Sequence, residues 1–202
     1  MAPLPALAAD RLTFGSLNNS AKLNDRVLTL WARVLQAVPE ARLLIKAPVL
    51  ASRRLAGRVR DVFARAGVAD DRLELLAGYT DARRDLLKIY DRIDIGLDTF
   101  PYSGGMTTFE AMCQGVPVVT LADRSMVGRW GATLAIHAGH PDLVAETEDA
   151  FVAVARRLAG DLPALAAQRA RFRRDFLSSP LCDARLKARH LERAFRRMMG
   201  VR

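Results

Sequence analysis

The sequence predicts an α/β fold, namely a Rossmann-like, doubly wound parallel sheet followed by a C-terminal helical tail. Short apolar segments alternate with longer segments whose apolar residues recur at helical spacing. Half of the 202 residues are hydrophobic and 6% are aromatic, which suits a core of Leu, Ala and Val and argues against disorder. Alternating apolar strands and helices form a parallel sheet covered on both faces. Right-handed crossovers then give the doubly wound arrangement.

The individual elements follow from the apolar patterns. The predicted strands are short apolar runs: residues 12–17, 41–45, 73–76, 93–97, 117–121 and 143–145. The predicted helices have apolar residues at helical spacing: residues 25–38, 51–66, 81–90, 128–138, 148–159, 164–176 and 183–199. Pro39 ends the first helix, and Gly67 is a natural C-terminal cap for the second. A further short helix is predicted within residues 98–121, after a glycine-rich turn.

The length of the chain fits one domain with a short extension. A chain of this size buries roughly 70% of the surface that it exposes when unfolded, so it can form a substantial core. The sequence contains no internal repeat and no low-complexity linker. We therefore predict a Rossmann-like domain of residues 1–177 and a helical tail of residues 178–202, which need not pack on the sheet.

The net charge of +9 results from 31 basic and 22 acidic residues. Such a balance can indicate nucleic acid, a membrane surface or phosphorylated ligands as partners. The arginines are spread through the predicted helices and are not interleaved with the aromatic residues that single-strand binders use. The pattern favours solvated helix faces rich in arginine, so we do not expect a nucleic-acid partner.

The cysteines and the apolar runs indicate a cytoplasmic protein. Cys113 and Cys182 match no metal or redox spacing, which favours a reducing compartment. No apolar run approaches the ~20 residues of a membrane span, so no membrane partner is expected. The first ten residues are apolar but lack the basic leading region of a signal peptide.

The most informative segment is DTFPYSGGMTTFEAMCQGVPVVTL, residues 98–121. Ligands of open α/β sheets bind outside the carboxyl ends of the strands, and this segment begins at such an end. Gly104 and Gly105 allow the backbone to approach a ligand closely. Thr107 and Thr108 then place hydroxyls and free N–H groups at a helix N-terminus, whose partial positive charge suits phosphate. The segment predicts a pocket for a nucleotide diphosphate.

One carboxylate follows in the same short helix. Glu110 is predicted to accept hydrogen bonds from both ribose hydroxyls, because a carboxylate is an acceptor only. The alternative is a glycine-rich turn before an ordinary helix, with Glu110 as a favourable acid in its first turn. The segment alone leaves both interpretations open.

A second loop follows the first predicted strand and reads FGSLNNSAK, residues 14–22. Lys22 offers a point charge to a diphosphate. Asn18 and Asn19 offer donors and acceptors to a base or a phosphate. The alternative is a polar turn with a solvated lysine. Because both loops leave the same edge of the sheet, each strengthens the prediction made from the other.

Four other polar residues are candidates for supporting roles. Asp98 follows a buried strand and is predicted to organise its loop rather than act on a ligand. Arg129 begins a helix near the same edge, where it either contacts a ligand or braces loops. His137 and His140 have no partners suited to a metal site, and a role at a helix end is favoured over catalysis.

Taken together, these motifs resemble the C-terminal half of the catalytic region of glycosyltransferase family 41. That family includes the O-linked N-acetylglucosamine transferases and bacterial relatives with tetratricopeptide repeats. The resemblance covers nearly the whole chain, in residues 14–22, 28–39, 92–102, 104–121 and 178–183. Several separate motifs in the same order make it specific.

The resemblance implies the C-terminal domain of a GT-B type, inverting, metal-independent glycosyltransferase, with a UDP-sugar donor, expected to be UDP-GlcNAc, and no further cofactor. Residues 1–177 would then be the donor-binding domain. The implied roles are diphosphate contact and catalysis for Lys22, and uridine contact for Asn19. Glu110 would bind the ribose. The helix start of Gly104, Gly105, Met106, Thr107 and Thr108 would bind the phosphates. Without a metal, the charge of the leaving group is met electrostatically.

The sequence also departs from the family pattern. Family members often carry a further Thr or a His before the threonine pair, where this chain has Gly105 and Met106. The ribose acid is commonly Asp, and Glu110 is one methylene longer. The N-terminal catalytic domain and the repeat array of the family are not in this sequence, and they are expected to act with it in cis or in trans.

Two functions from different classes are therefore compared. The first is the UDP-sugar-binding half of a glycosyltransferase that transfers N-acetylglucosamine or another hexose, with a protein as the implied acceptor. The second is a non-catalytic, truncated Rossmann-like module that acts in nucleotide binding or assembly. A half-site cannot enclose a donor or exclude water, so turnover by this chain alone is not expected.

Overall fold

Six parallel strands form one sheet, in the order β3-β2-β1-β4-β5-β6, in the computed structural model, which describes residues 3–9, 11–80 and 82–200. The strands are β1 (Thr13–Ser16), β2 (Arg42–Lys46), β3 (Leu73–Leu76), β4 (Ile95–Leu97), β5 (Val118–Leu121) and β6 (Val144–Ala145). Apolar side chains dominate them because a parallel sheet is buried on both faces. The predicted fold class is confirmed.

The α-helices follow the strands along the chain. They are α1 (Asp25–Ala37), α2 (Arg53–Arg65), α3 (Arg83–Lys88), α4 (Met106–Cys113), α5 (Trp130–His137), α6 (Glu148–Ala159), α7 (Leu162–Leu177) and α8 (Ala184–Met198). Helix α1 packs against α2 and α6, and α4 packs against α7. The largest apolar side chains of the core come from these helices, and Trp31, Phe63, Phe151 and Phe172 are fully buried.

The direction of winding reverses beside β1. Phe14 of β1 lies opposite Leu43 of β2 on one side and Ile95 of β4 on the other. From β1 the chain winds outward through β2 and β3, whereas from β4 it winds the opposite way through β5 and β6. The chain therefore leaves the carboxyl ends of β1 and β4 in opposite directions. Doubly wound sheets bind ligands in the crevice at such a point.

Most helices begin or end one or two residues away from the predicted positions, and two of these differences have a structural reason. The helix predicted for residues 81–90 is α3 followed by a 3-10 turn at Ile89–Arg92, and position 81 lies outside the described residues. Helix α7 begins at Leu162, before the predicted start at residue 164. The reason is an N-cap, because Asp161 Oδ1 accepts a hydrogen bond from Ala164 N at 2.9 Å.

The C-terminal helix α8, like the short helix α3, has no buried side chain. Leu191 and Phe195 on its apolar side are 51% and 60% exposed. The division into a domain of residues 1–177 and a tail of residues 178–202 stays a prediction. In the described part of the chain, no helix has the length and apolar character needed to cross a bilayer.

Candidate functional site

The loops after β1 and β4 meet above the point where the winding reverses. Asn18 joins them, because its Oδ1 accepts a hydrogen bond from Thr107 Oγ1 at 2.8 Å while its Nδ2 donates to Ser16 Oγ at 3.2 Å. Lys22, at the end of the first loop, donates from Nζ to Ser103 O of the second at 2.8 Å. The structure thus brings the two predicted binding loops together.

Asp98 organises the loop after β4, as its position behind a buried strand predicts. Its Oδ1 accepts hydrogen bonds from Thr99 N at 2.8 Å and Gly104 N at 2.6 Å, and its Oδ2 accepts one from Thr120 Oγ1 at 2.8 Å. Burial raises the pKa of this carboxyl to about 6, although the hydrogen bonds and the charge of Lys22 oppose that shift. The Asp98 carboxylate is therefore buried, and its hydrogen bonds hold the loop after β4 in place.

Gly104 is required by this packing. A Cβ atom at this position would lie 2.1 Å from Thr108 Oγ1 and 2.8 Å from Asp98 Oδ1. Both contacts are far inside van der Waals distance, and the atoms belong to short, buried side chains that cannot swing away. The neighbouring Gly105 is similarly restricted, since a Cβ there would lie 2.7 Å from the Trp130 ring. The glycine pair lets the loop pass directly beneath the start of α4.

The N-terminus of α4 is open. Gly105 is its N-cap and forms no side-chain cap, and Met106, the first helical residue, is 61% exposed. The first helical hydrogen bond runs from Phe109 N to Gly105 O at 2.9 Å. The N–H groups of Met106, Thr107 and Thr108 therefore have no helical acceptor, and they carry the positive end of the helix dipole.

The two threonine hydroxyls do not point toward the open end of α4. Thr107 Oγ1 donates to Asn18, and Thr108 Oγ1 is buried without a hydrogen-bond partner among the described residues. The backbone N–H groups, rather than these hydroxyls, are what the helix offers to an anion. The Thr107 hydroxyl instead joins the two loops through its hydrogen bond to Asn18.

Lys22 supplies the positive charge of the crevice. Its Nζ lies 4.0 Å from the centroid of the Tyr102 ring as well as beside Ser103 O. Partial burial lowers the pKa of Lys22, and the carboxylate of Asp98 opposes that effect. A desolvated ammonium and a helix N-terminus at one place form a site suited to a phosphate.

Glu110 lies one turn into α4 with its side chain 13% exposed. Its Oε1 accepts a hydrogen bond from Arg83 NH2 of α3 at 2.7 Å. The neighbouring Tyr90 donates from its hydroxyl to Thr107 O at 2.9 Å, which fixes the first turn of the helix from below. Arg83 thus holds the Glu110 carboxylate in place near the start of α4.

A cleft of about 390 Å³ lies over the carboxyl ends of β1, β2 and β3. Asn19 lines it, and Asn19 Oδ1 also accepts from Ala21 N at 2.9 Å, which shapes the turn that leads to Lys22. Tyr79 lines the opposite side and is 87% exposed. The volume is in the range of small-molecule pockets.

The other candidates lie outside the crevice. Arg129 is an exposed N-cap residue of α5. His137 Nδ1 is 2.9 Å from Thr133 O at the end of the same helix. His140 stacks on Phe172, with ring centroids 4.3 Å apart, and burial lowers its pKa. The favoured role at a helix end fits His137. Within the described residues, no group of three or more His, Cys, Asp or Glu side chains is placed to hold a metal ion.

Three contributors to this region were not singled out from the sequence. They are Arg83, Tyr79 and Tyr102. The segments that contain Arg83 and Tyr79 have no motif of their own. Arg83 and Tyr79 belong to the segment that begins α3, and only the folded sheet brings it next to α4. Tyr102 lies inside the glycine-rich segment. Its position close to the glycines was the signal from which its role could have been predicted.

The fold is that of the C-terminal domain of a GT-B type glycosyltransferase. The chain belongs to glycosyltransferase family 41, whose model, described as Glycosyl transferase family 41, matches residues 4–191. The resemblance seen in the motifs is confirmed.

Known relatives cover nearly all of this chain. A protein of Hordeum vulgare described as a probable UDP-N-acetylglucosamine–peptide N-acetylglucosaminyltransferase SPINDLY is 38% identical over 196 residues, which are 97% of this chain. The Caenorhabditis elegans UDP-N-acetylglucosamine–peptide N-acetylglucosaminyltransferase is 26% identical over 92% of it. The structure of Thermobaculum terrenum O-GlcNAc transferase, solved as a point mutant, matches 94% of the chain with 38% identity and a TM-score of 0.86.

These relatives are much longer than the matched region. The chain spans 21% of the Hordeum vulgare protein, 16% of the Caenorhabditis elegans protein and 36% of the Thermobaculum terrenum structure. The similarity therefore concerns one part of each relative, and that part contains the crevice described above.

Proposed function

We propose that this chain is the donor-binding half of a protein glycosyltransferase and binds UDP-GlcNAc through its UDP group. The observation that carries the proposal is that the Lys22 ammonium is hydrogen-bonded to Ser103, in the loop that leads directly into α4, whose first N–H groups have no helical acceptor. Both are positive, both are oriented by the same loop, and a diphosphate needs several such donors at once. The names of the relatives support UDP-GlcNAc as the donor.

The diphosphate is proposed to lie between Lys22 and the N–H groups of residues 105–108. Lys22 Nζ has three donors and gives one to Ser103 O, so it keeps donors for phosphate oxygens. The glycine at position 105 and the exposed side chain of Met106 leave the helix end accessible.

The nucleoside is proposed to extend from there into the 390 Å³ cleft. Glu110 would accept from the ribose hydroxyls, since its carboxylate is held beside the helix start by Arg83. Asn19 lines the same cleft and would contact the uracil with its remaining amide donors. The polar groups of the cleft converge as expected for a nucleoside rather than an apolar ligand.

The proposed chemistry is an inverting transfer without a metal. The bond between the anomeric carbon and the diphosphate oxygen breaks, a hydroxyl oxygen of the acceptor forms the new bond to that carbon, and the hydroxyl proton is released to solvent. Negative charge then accumulates on UDP, and Lys22 with the α4 dipole would stabilise it in place. Lys22 is accordingly the proposed catalytic residue of this chain. The acceptor is proposed to be a protein, and a second domain with repeats, in cis or in trans, would enclose the donor.

Calorimetry with UDP tests the proposal. The chain should bind UDP with modest affinity, and Lys22→Ala should weaken binding about 10- to 100-fold, because a hydrogen bond to a charged group contributes about 1.5 to 3 kcal/mol. Lys187→Ala on the exposed helix α8 makes the same charge change away from the crevice and should leave the affinity unchanged. Absence of UDP binding at millimolar ligand would refute the proposal.

Turnover separates the two function classes. UDP-GlcNAc incubated with the chain and assayed for hydrolysis and transfer should show little product, in keeping with a half-site. UDP binding combined with transfer only after addition of the second domain would support the glycosyltransferase. UDP binding without transfer even then would favour the non-catalytic binding module.

A further inference from the structure

Tyr102 and Ser103 together hold the ammonium of Lys22. The Nζ atom lies 4.0 Å from the Tyr102 ring centroid and 2.8 Å from Ser103 O. Both contacts come from consecutive residues of the loop after β4, and neither carries a charge. An ammonium over the face of an aromatic ring is attracted by the electrons of the ring, and the attraction increases as water is excluded.

The Tyr102 ring is itself held by its surroundings. The backbone carbonyl oxygen of Tyr102 accepts a hydrogen bond from Thr99 Oγ1 at 2.9 Å, which fixes the backbone at this position. The Trp130 ring meets it edge to face, with centroids 6.0 Å apart and planes at 76°. Trp130 in turn packs against Gly105, where a Cβ atom would lie 2.7 Å from its ring. The ring is nevertheless 44% exposed, so it lies at the mouth of the crevice.

This arrangement limits where the Lys22 side chain can go. A free lysine side chain samples many rotamers and loses conformational entropy when it is fixed. In the structure, Tyr102 and Ser103 already fix the Lys22 side chain. The ammonium keeps two donors after its bond to Ser103 O. A ligand that binds these donors avoids part of the ordering cost, as expected of a preorganised site.

We propose that Tyr102 is a positioning residue, whose ring holds the ammonium of Lys22 where it meets the diphosphate of the donor. The inference rests on the proposed function and goes beyond it, because Tyr102 acts through Lys22 and not through a contact of its own with the nucleotide. Removal of the ring then weakens UDP binding even though no atom that touches UDP is lost. The phenol hydroxyl has no part in this effect, because the attraction comes from the ring face.

The test is a set of variants of the full chain titrated with UDP and with uridine. Tyr102→Leu should lower UDP affinity about 3- to 30-fold, the range of a partly desolvated cation–π contact. Tyr102→Phe should retain the wild-type affinity within about twofold. Tyr102→Met also removes the ring. It replaces Tyr102→Leu if thermal denaturation shows that the leucine variant does not fold. Phe195→Leu, an exposed aromatic residue on α8, is the matched control.

Two further readouts distinguish positioning from a general structural role. Uridine lacks the diphosphate, so its affinity should not change in Tyr102→Leu. In a Lys22→Ala background, Tyr102→Leu should cause no additional loss of UDP affinity, because the group on which it acts is gone. An equal loss in both backgrounds, or a loss with Tyr102→Phe as large as with Tyr102→Leu, would overturn the inference.

The outcome also separates this inference from the proposed function. UDP binding that depends on Lys22 but not on Tyr102 would overturn the positioning role alone. Failure of the wild-type chain to bind UDP would overturn both.

Discussion

The two ends of the crevice are built differently. The phosphate end, residues 98–108, is tethered from below by the buried Asp98 and has Gly104 and Thr108 packed tightly together. The nucleoside end, by contrast, is formed by exposed side chains, with Tyr79 87% exposed and the Arg83 side chain 68% exposed. Helix α3, which carries Arg83, has no buried residue. The proposed phosphate end is therefore tightly packed, whereas the side chains at the proposed nucleoside end have few packing contacts that fix them.

The largest effect is expected from Gly104→Ala. The added methyl group would overlap Thr108 Oγ1 and crowd Asp98, so the free energy of unfolding should fall by about 1 to 3 kcal/mol and UDP binding should be lost with the loop geometry. Chemical denaturation and calorimetry measure the two effects.

Gly57→Ala is the matched control for this substitution. Gly57 lies inside α2, and a Cβ there has nothing within 4 Å. The variant should be more stable by about 0.5 to 1 kcal/mol, because alanine favours a helix over glycine. A Gly104→Ala chain as stable as wild type would show that the phosphate end is not tightly packed.

A second effect is expected in the pH dependence of stability. Burial raises the pKa of Asp98 to about 6 in the folded chain from 3.8. The unfolded chain therefore releases this proton first as the pH rises, and the free energy of unfolding should fall between pH 4 and pH 6 by about 2 kcal/mol from this group alone. The contribution becomes constant about one pH unit above the folded pKa.

Asp98→Asn removes that contribution. Its amide oxygen can still accept from Thr99 N and Gly104 N, so the tether is largely kept. Urea denaturation of both chains at several pH values should show that wild-type stability falls relative to the variant across this window. If the stabilities of the two chains changed in parallel with pH, the Asp98 carboxylate would be as well solvated in the folded chain as in the unfolded chain.

The smallest effect on stability is expected at the nucleoside end. Arg83→Gln breaks an ion pair whose arginine is largely exposed, so the free energy of unfolding should change by less than about 1 kcal/mol. The same variant should reduce the preference for UDP over 2′-deoxy-UDP, because Glu110 loses the partner that orients it. Arg54→Gln on α2 removes a charge elsewhere as a control. An unchanged preference for UDP over 2′-deoxy-UDP would show that Glu110 does not bind the ribose.

Much of the fold could be predicted from the sequence, because apolar periodicity reports burial directly. All six predicted strands are present, with ends within two residues of the predicted ones. The periodicity could not place the start of α7, which depends on the side chain of Asp161 as a cap. The family, too, was evident from ordered motifs, and the match over residues 4–191 confirms it.

The site was predicted less completely, since its contacts join distant segments. Lys22 and the glycine pair were found because each belongs to a loop at the same sheet edge. The inward direction of the Thr107 hydroxyl depends on Asn18, far away in sequence, and no local pattern encodes it. Arg83 likewise reaches Glu110 only in the folded chain. The binding roles of these residues stay predictions.

The packing of Trp130 against Gly105 has a spectroscopic consequence. The sequence contains two tryptophans, and they occupy contrasting environments. Trp31 is fully buried, and its indole N–H donates to Asp98 O at 3.2 Å. Trp130 is 37% exposed at the rim of the crevice. The fluorescence of Trp31 should therefore report the integrity of the core, and that of Trp130 should report the binding proposed at the start of α4, without any attached dye.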